Sequence, residues 1–311
     1  MRPIQPNKGF SKDFDGRVHD PKALTAHLLV DCKCELGEGV QWNDALGRLY
    51  WTDIFGNALW SCDENGYSVE RLELGARLCA FVFTSDVRVL AAFADGLYWL
   101  ELSSGQRDLI QEYQPELPQT RMNDGNLDRQ GRFIVGGMDD VDGALITPVL
   151  RVSPSGIECI IENVGCANSI AFSPDGRSMF FADSTGHEIY QYDYDRVSGK
   201  PTNKRVFAAM EPEFGVPDGS TVDCEGALWS ARFGGSCVQR FLSDGSLDLL
   251  VSLPVPNVTC CCLGGGEMNR LFITTARAGM TGAEQAAMPE AGGIYAVDVP
   301  VRGLPHGRYK Q

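Results

Sequence analysis

Histidine is scarce in this chain: there are four in 311 residues, His19, His27, His187 and His306, and they form neither H-x-H nor H-E-x-x-H. A G-x-S-x-G elbow is also missing. A histidine-held zinc and a serine triad therefore lack their parts, and His187 is at most a rim residue. No Walker or dinucleotide-binding glycine pattern follows a strand and opens a helix, and Gly264-Gly265-Gly266 falls in a strand-to-strand turn. Nucleotide binding has no support there. The chain has no apolar run of about 18 residues to mark a membrane span. Met1 to Asp20 mixes Lys, Arg, Asp and Gly without the apolar stretch of a secretory signal, so a cytoplasmic location is expected.

Positive charge is equally thin. Against 41 acidic residues stand 27 basic ones, a formal net charge of −14, and Lys and Arg form no block. Nucleic acid and anionic membrane are poor partners for such a surface, and no obligate protein partner is expected. Cysteine is plentiful, but the count of eleven is odd and includes no C-x-x-C. That excludes a disulfide framework and a zinc ribbon, and it makes most of the thiols small buried apolar groups. Cys260-Cys261-Cys262 on a strand would point to alternate faces, which is a poor basis for a thiol site. Cys32 and Cys34 would share one face, with no disulfide expected in a reducing compartment.

A repeat is what the sequence does contain. Hairpin tips read Asn43-Asp44-Ala45-Leu46-Gly47-Arg48, Asp128-Arg129-Gln130-Gly131-Arg132, Ser173-Pro174-Asp175-Gly176-Arg177 and Asp223-Cys224-Glu225-Gly226-Ala227. A weaker copy surrounds Asn269 and a degenerate one runs from Ser85 to Leu90. Gly47 and Gly131 are 84 residues apart, a span that the degenerate copy halves. The next intervals are 45, 50 and 43. Each unit reads as polar turns between apolar or alternating runs, without a helical period longer than a few turns. Six units of about four strands predict an all-β, six-bladed β-propeller of four-stranded antiparallel blades, whose radial repetition leaves only short edges. A two-domain β-sandwich is the alternative, and the regular spacing argues against it. The expected organisation is an N-terminal extension over 1–23, a single propeller domain over 24–303 and a tail over 304–311. The first strand, near Leu24 to Val30, would close the ring on the last, Gly293 to Val299.

Glu38 stands nine residues before its hairpin glycine, and Asn123, Asn168 and Asp218 each stand eight before theirs. In a propeller the innermost strands line the axis, so positions at one offset converge on one mouth of the channel. Two carboxylates and side-chain amides there make a hard-oxygen pocket for one central divalent cation: calcium, magnesium or manganese, with zinc and iron(II) not excluded. Taken singly, an Asn or Asp before Gly reads as a turn residue. Four in one phase read as a site.

The same residues carry a resemblance. Leu36-Gly37-Glu38-Gly39-Val40-Gln41-Trp42, Arg121-Met122-Asn123-Asp124-Gly125-Asn126, Asn168-Ser169-Ile170-Ala171-Phe172, Pro217-Asp218-Gly219 and Thr274-Thr275-Ala276-Arg277 resemble the regucalcin, gluconolactonase and luciferin-regenerating enzyme family over roughly 27 to 300. Through Pro256-Asn257-Val258-Thr259 and Ala291-Gly292-Gly293 the likeness leans to bacterial aldonolactonases of the xylonolactonase and arabinonolactonase kind. The resemblance implies a propeller with one catalytic divalent metal held by Glu38, Asn168 and Asp218, with Arg121 and Asn123 contacting substrate. It also implies an acidic residue on the loop after Gly136-Gly137-Met138. Here that loop reads Asp139-Asp140-Val141-Asp142, leaving Asp139, Asp140 and Asp142 as rim candidates beside the plainer reading of a solvated turn.

The expected reaction is hydrolysis of a pentono- or hexonolactone to the open-chain acid. The cation would polarise the carbonyl, and Asp218 or a hydroxide on the cation would activate water. Asn257 and Thr259 would extend the sugar-binding shell. The alternatives are a calcium-binding propeller without chemistry, a scaffold for a protein partner, and another ester or lactone hydrolase at the same site.

Overall fold

The computed structural model describes residues 11, 12, 18, 19, 21–85, 88–209 and 211–310. Most of the expected N-terminal extension, and Asp86 and Val87 of the degenerate hairpin, lie outside the described residues. Six antiparallel sheets form six blades. Their innermost strands are Gly37–Asn43, Leu78–Phe83, Thr120–Leu127, Ala167–Phe172, Val216–Val222 and Val258–Gly264. The hairpin glycines do what the repeat requires, since Gly47, Gly131, Gly176 and Gly226 adopt φ of +60°, +84°, +68° and +85°. Among the described residues helix is confined to the single turn Pro212–Phe214 and to Gly282–Ala287, the latter held by a Thr281–Glu284 capping box.

Ring closure corrects the expectation in one respect. His27–Val30 does complete the sixth blade by pairing with Ile294–Asp298. Lys22–Thr25, however, adds in parallel to Leu247–Ser252 of the fifth blade. The chain crosses from one blade to the next at buried Ala26, whose N–H donates to Ser252 O at 3.0 Å.

Instead of one central core, the described residues form six apolar clusters, one in each seam between neighbouring blades. Trp229 and Cys261 meet in the seam of blades five and six, Trp42 and Cys262 in that of six and one. Cys260, Cys261 and Cys262 are all buried, alternate between these two seams, and act as small packing groups. Cys32 and Cys34 do lie together as free thiols, with Sγ atoms 3.4 Å apart.

The feature that sequence periodicity does not reveal is a register shift in every innermost strand. Pairing skips between Glu38 and Gln41, Met122 and Gly125, Asn168 and Ala171, Pro217 and Ser220, and Val258 and Cys260. In the second blade Cys79 is skipped. A bulge releases side chains from the strict two-residue alternation and re-aims them. Six bulges at one level make a rim of re-aimed residues around the axis.

Candidate active site

Glu38 and Asp218, from the first and fifth blades, are brought into hydrogen-bond contact. Asp218 is buried and Glu38 half-buried. Burial, then Asp124, pushes the Glu38 carboxyl up to about 7 from an ordinary 4.5. Burial, then Glu38 and Asp124, holds Asp218 well above the usual carboxylate range. Like charges this close cannot both stay ionised unless a positive charge joins them.

A second constellation spans blades three to five. Arg121 Nη1 donates to Asn123 Oδ1 at 2.7 Å, and Asn123 Nδ2 donates to Ala167 O at 2.9 Å and to Asn168 Oδ1 at 3.2 Å. Asn168 Nδ2 then donates to Ser184 Oγ at 2.8 Å, and the Ser184 hydroxyl donates to Pro217 O, next to Asp218. With its NH2 end tied to Ser184, the Asn168 amide can present only oxygen elsewhere, which fixes the amide orientation as the network assigns it. Asp218 is anchored through its backbone, because Ser169 Oγ donates to Asp218 O at 2.7 Å. The next residue must be glycine: a Cβ on Gly219 would lie 2.5 Å from Cys260 Sγ.

The donor set suits a hard divalent cation. Two carboxylates whose proton affinity is raised by burial and by the neighbouring Asp124, plus an amide oxygen, offer oxygen ligands and excess negative charge. Among the described residues no group of three or more His, Cys, Asp or Glu is arranged to hold a metal. Here one donor is an amide, so the set falls short of three such residues.

The acidic loop divides by role. Asp139 is buried and caps its own turn, accepting from Val141 N at 3.2 Å and Ala144 N at 3.0 Å. Asp140 bridges Arg77 at 2.9 Å and Arg121 Nε at 3.0 Å. Asp142 faces solvent. Among the described residues Arg121 Nη2 has no partner, so the guanidinium is held on two sides and keeps one nitrogen to offer. Asn257 donates to Ala278 O at 2.9 Å. Thr259 departs from expectation: fully buried, its hydroxyl donates to Gly37 O and lies 2.9 Å from Thr274 Oγ1, clamping the last blade to the first. His187 Nδ1 lies 3.2 Å from Gly215 O, on the loop before the Asp218 strand.

Three residues here escaped sequence reasoning. Asp124, one position past Asn123, accepts from Ile170 N at 3.0 Å, and burial lifts its carboxyl to about 6 from an ordinary 3.8. It is the third acid acting on Glu38 and Asp218. Ser184 follows the strand Ser178–Asp183 and Ser169 lies within Ala167–Phe172, and neither serine's partner is marked locally in the sequence.

An all-β ring with an oxygen-donor cup at one axial mouth is the class that fold and site define. The chain belongs to the SMP-30/Gluconolactonase/LRE-like family, whose description matches residues 36–277. It is 37% identical over 298 residues to the L-arabinolactonase of Azospirillum brasilense, covering 91% of this chain and 95% of that one. It is 30% identical to a pentonolactonase of Haloferax volcanii, covering 92% and 98%. Both relatives are lactonases by name, that is, carboxylic-ester hydrolases. Among solved structures it is similar to a calcium-binding regucalcin from Agrobacterium tumefaciens, with a TM-score of 0.88, 27% identity and coverage of 93% and 99%. No helix among the described residues is long and apolar enough to cross a membrane.

Proposed function

We propose that the chain hydrolyses a sugar lactone at this mouth, with a divalent cation held by Glu38, Asn168 and Asp218. The contact of the Glu38 carboxyl with the buried Asp218 carries the reading, and the lactonase relatives supply the substrate class. Two of those relatives are named for five-carbon substrates, which favours a pentonolactone over a hexonolactone here.

When bound, the cation supplies Lewis-acid polarisation of the lactone carbonyl. The protein's own groups do the rest. Arg121, fixed by Asp140 and Asn123, presents Nη2 to a sugar hydroxyl or ring oxygen, and a guanidinium held in this way loses little freedom on binding. Asn123 positions rather than donates freely, since both amide ends are already engaged. Asp218 takes a proton from the attacking water through its carboxylate. The new C–O bond forms at the carbonyl carbon, the ring C–O bond breaks, and the leaving oxygen receives a proton. The product acid then ionises and acidifies the medium.

The test is metal-stripped protein reloaded with calcium, magnesium, manganese, zinc or iron(II) in turn and assayed by pH drift on pentono- and hexonolactones. Hydrolysis that depends on reloading supports the reading, whereas full activity of the stripped protein sinks it. The likeness to a calcium-binding regucalcin favours one second reading, a cation site without chemistry. Tight calcium binding with no turnover on any lactone would select it.

A further inference from the structure

The channel has a second end. Gln41, Asn126, Ala171 and Thr221 each follow the residue at the first mouth by three positions on the same strand, and all four line a cavity of about 280 Å³. They lie beyond the bulges of those strands, so this cavity lies further along the axis, below the carboxylate rim. The floor is the C-terminal segment. Lys310 N donates to Gly131 O at 3.1 Å, Tyr309 N to Phe83 O at 2.8 Å, and Tyr309 packs on Trp99. Residues 304–308 and 310 form part of the cavity wall.

In a chain of net charge −14 this wall is basic. Arg129, Arg308 and Lys310 line it, with His306 beside them. Asp128 is the acidic lining residue, but its carboxylate already takes Arg132 and Tyr194 OH together with the main-chain N–H groups of Gln130 and Arg132. Among the described residues none of the three cations forms an ion pair. Arg129 donates instead to Phe172 O at 2.8 Å and Ser173 O at 3.1 Å, and Arg308 to Thr84 O at 3.0 Å and Asn43 Oδ1 at 3.3 Å. Carbonyl and amide oxygens fix these guanidinium groups in place without cancelling their charge. Partial burial disfavours the charged form of Arg129, and the nearby Asp128, already shared with Arg132, only partly offsets it.

We propose that this distal cavity binds a small, multiply charged oxyanion of the phosphate type, independently of the cation mouth. Guanidinium forks match tetrahedral oxyanions; Gln41 and Asn126 each keep one amide N–H beyond those given to Phe81 O and Ile170 O, and Thr221 adds a hydroxyl. The site does not depend on the lactonase reading. It stands or falls on its own cations.

The experiment is calorimetric titration of the magnesium-loaded full chain with inorganic phosphate, ionic strength being held constant with chloride. Saturable one-to-one binding is expected, weakened at least about tenfold by Arg129→Gln or by Arg308→Gln and unchanged in Asp218→Ala. Arg308→Gln leaves the Arg129 anchorage intact, so it still decides the matter if Arg129→Gln fails to fold. Absence of saturation overturns the proposal, as does binding that neither arginine variant weakens. Loss of binding in Asp218→Ala would place phosphate at the cation mouth and overturn it as well.

Discussion

Glu38 and Asp218, four blades apart in the chain, touch through their carboxyl groups. Removing either should therefore impair the other's role. Asp218→Ala is expected to lower turnover by roughly 10² to 10⁴ and to weaken calcium or manganese binding in the same preparation. Retained activity with lost cation affinity would separate the two roles and contradict the single-site reading.

Metal-free protein should show the strain in its pH dependence. Glu38 is raised to about 7 and Asp124 to about 6 in the fold, so the folded state holds protons that the unfolded chain releases. Stability should rise as pH falls from 8 through these values and level off near their ordinary values of 4.5 and 3.8. Saturating divalent cation should flatten that slope, and Glu38→Gln should remove part of it. Denaturant midpoints from pH 5 to 8 measure both effects.

Ser184 orients Asn168 without being part of the donor set. Ser184→Ala should lower cation affinity about 10- to 100-fold, the usual cost of losing an outer partner, while the fold is kept. Cation titration followed by circular dichroism separates affinity from folding.

Asp140 holds Arg121. Asp140→Asn should raise KM or lower kcat without changing cation affinity, and Arg121→Lys should do likewise, since an ammonium lacks the fork. Equal loss of cation binding in either variant would move Arg121 out of the substrate-positioning role.

Thr259 tests the seam rather than the chemistry. Thr259→Val leaves Gly37 O without its donor and should cost about 1–3 kcal/mol of stability, with kcat per folded molecule unchanged.

The ring was readable because its signals are local. A glycine in the left-handed region ends each strong hairpin, and an offset of eight or nine residues before it fixes Glu38, Asn123, Asn168 and Asp218. Glu38 with Asp218, and Asn123 with Asn168, do meet. Asp124 was missed because strict alternation sends neighbours to opposite faces, whereas the bulge between Met122 and Gly125 breaks that rule. Thr259 misled for a related reason: being level with the rim did not reveal which way its hydroxyl turns. The segment from Leu24 to Val30 reads as a single strand, and only the partner strands divide it at Ala26. Ser184 acts through contacts from other blades, which no window of sequence contains.

The stitch at Ala26 also bears on how the molecule comes into being. Lys22–Thr25 and His27–Val30 find their partners only in the last-made third of the chain. A nascent polypeptide must therefore hold residues 22–30 unpaired until the strands at 247–252 and 294–298 have been made. The final annealing is a long-range event of the kind that slows acquisition of the native state, and the cup at the axis cannot be whole before it happens.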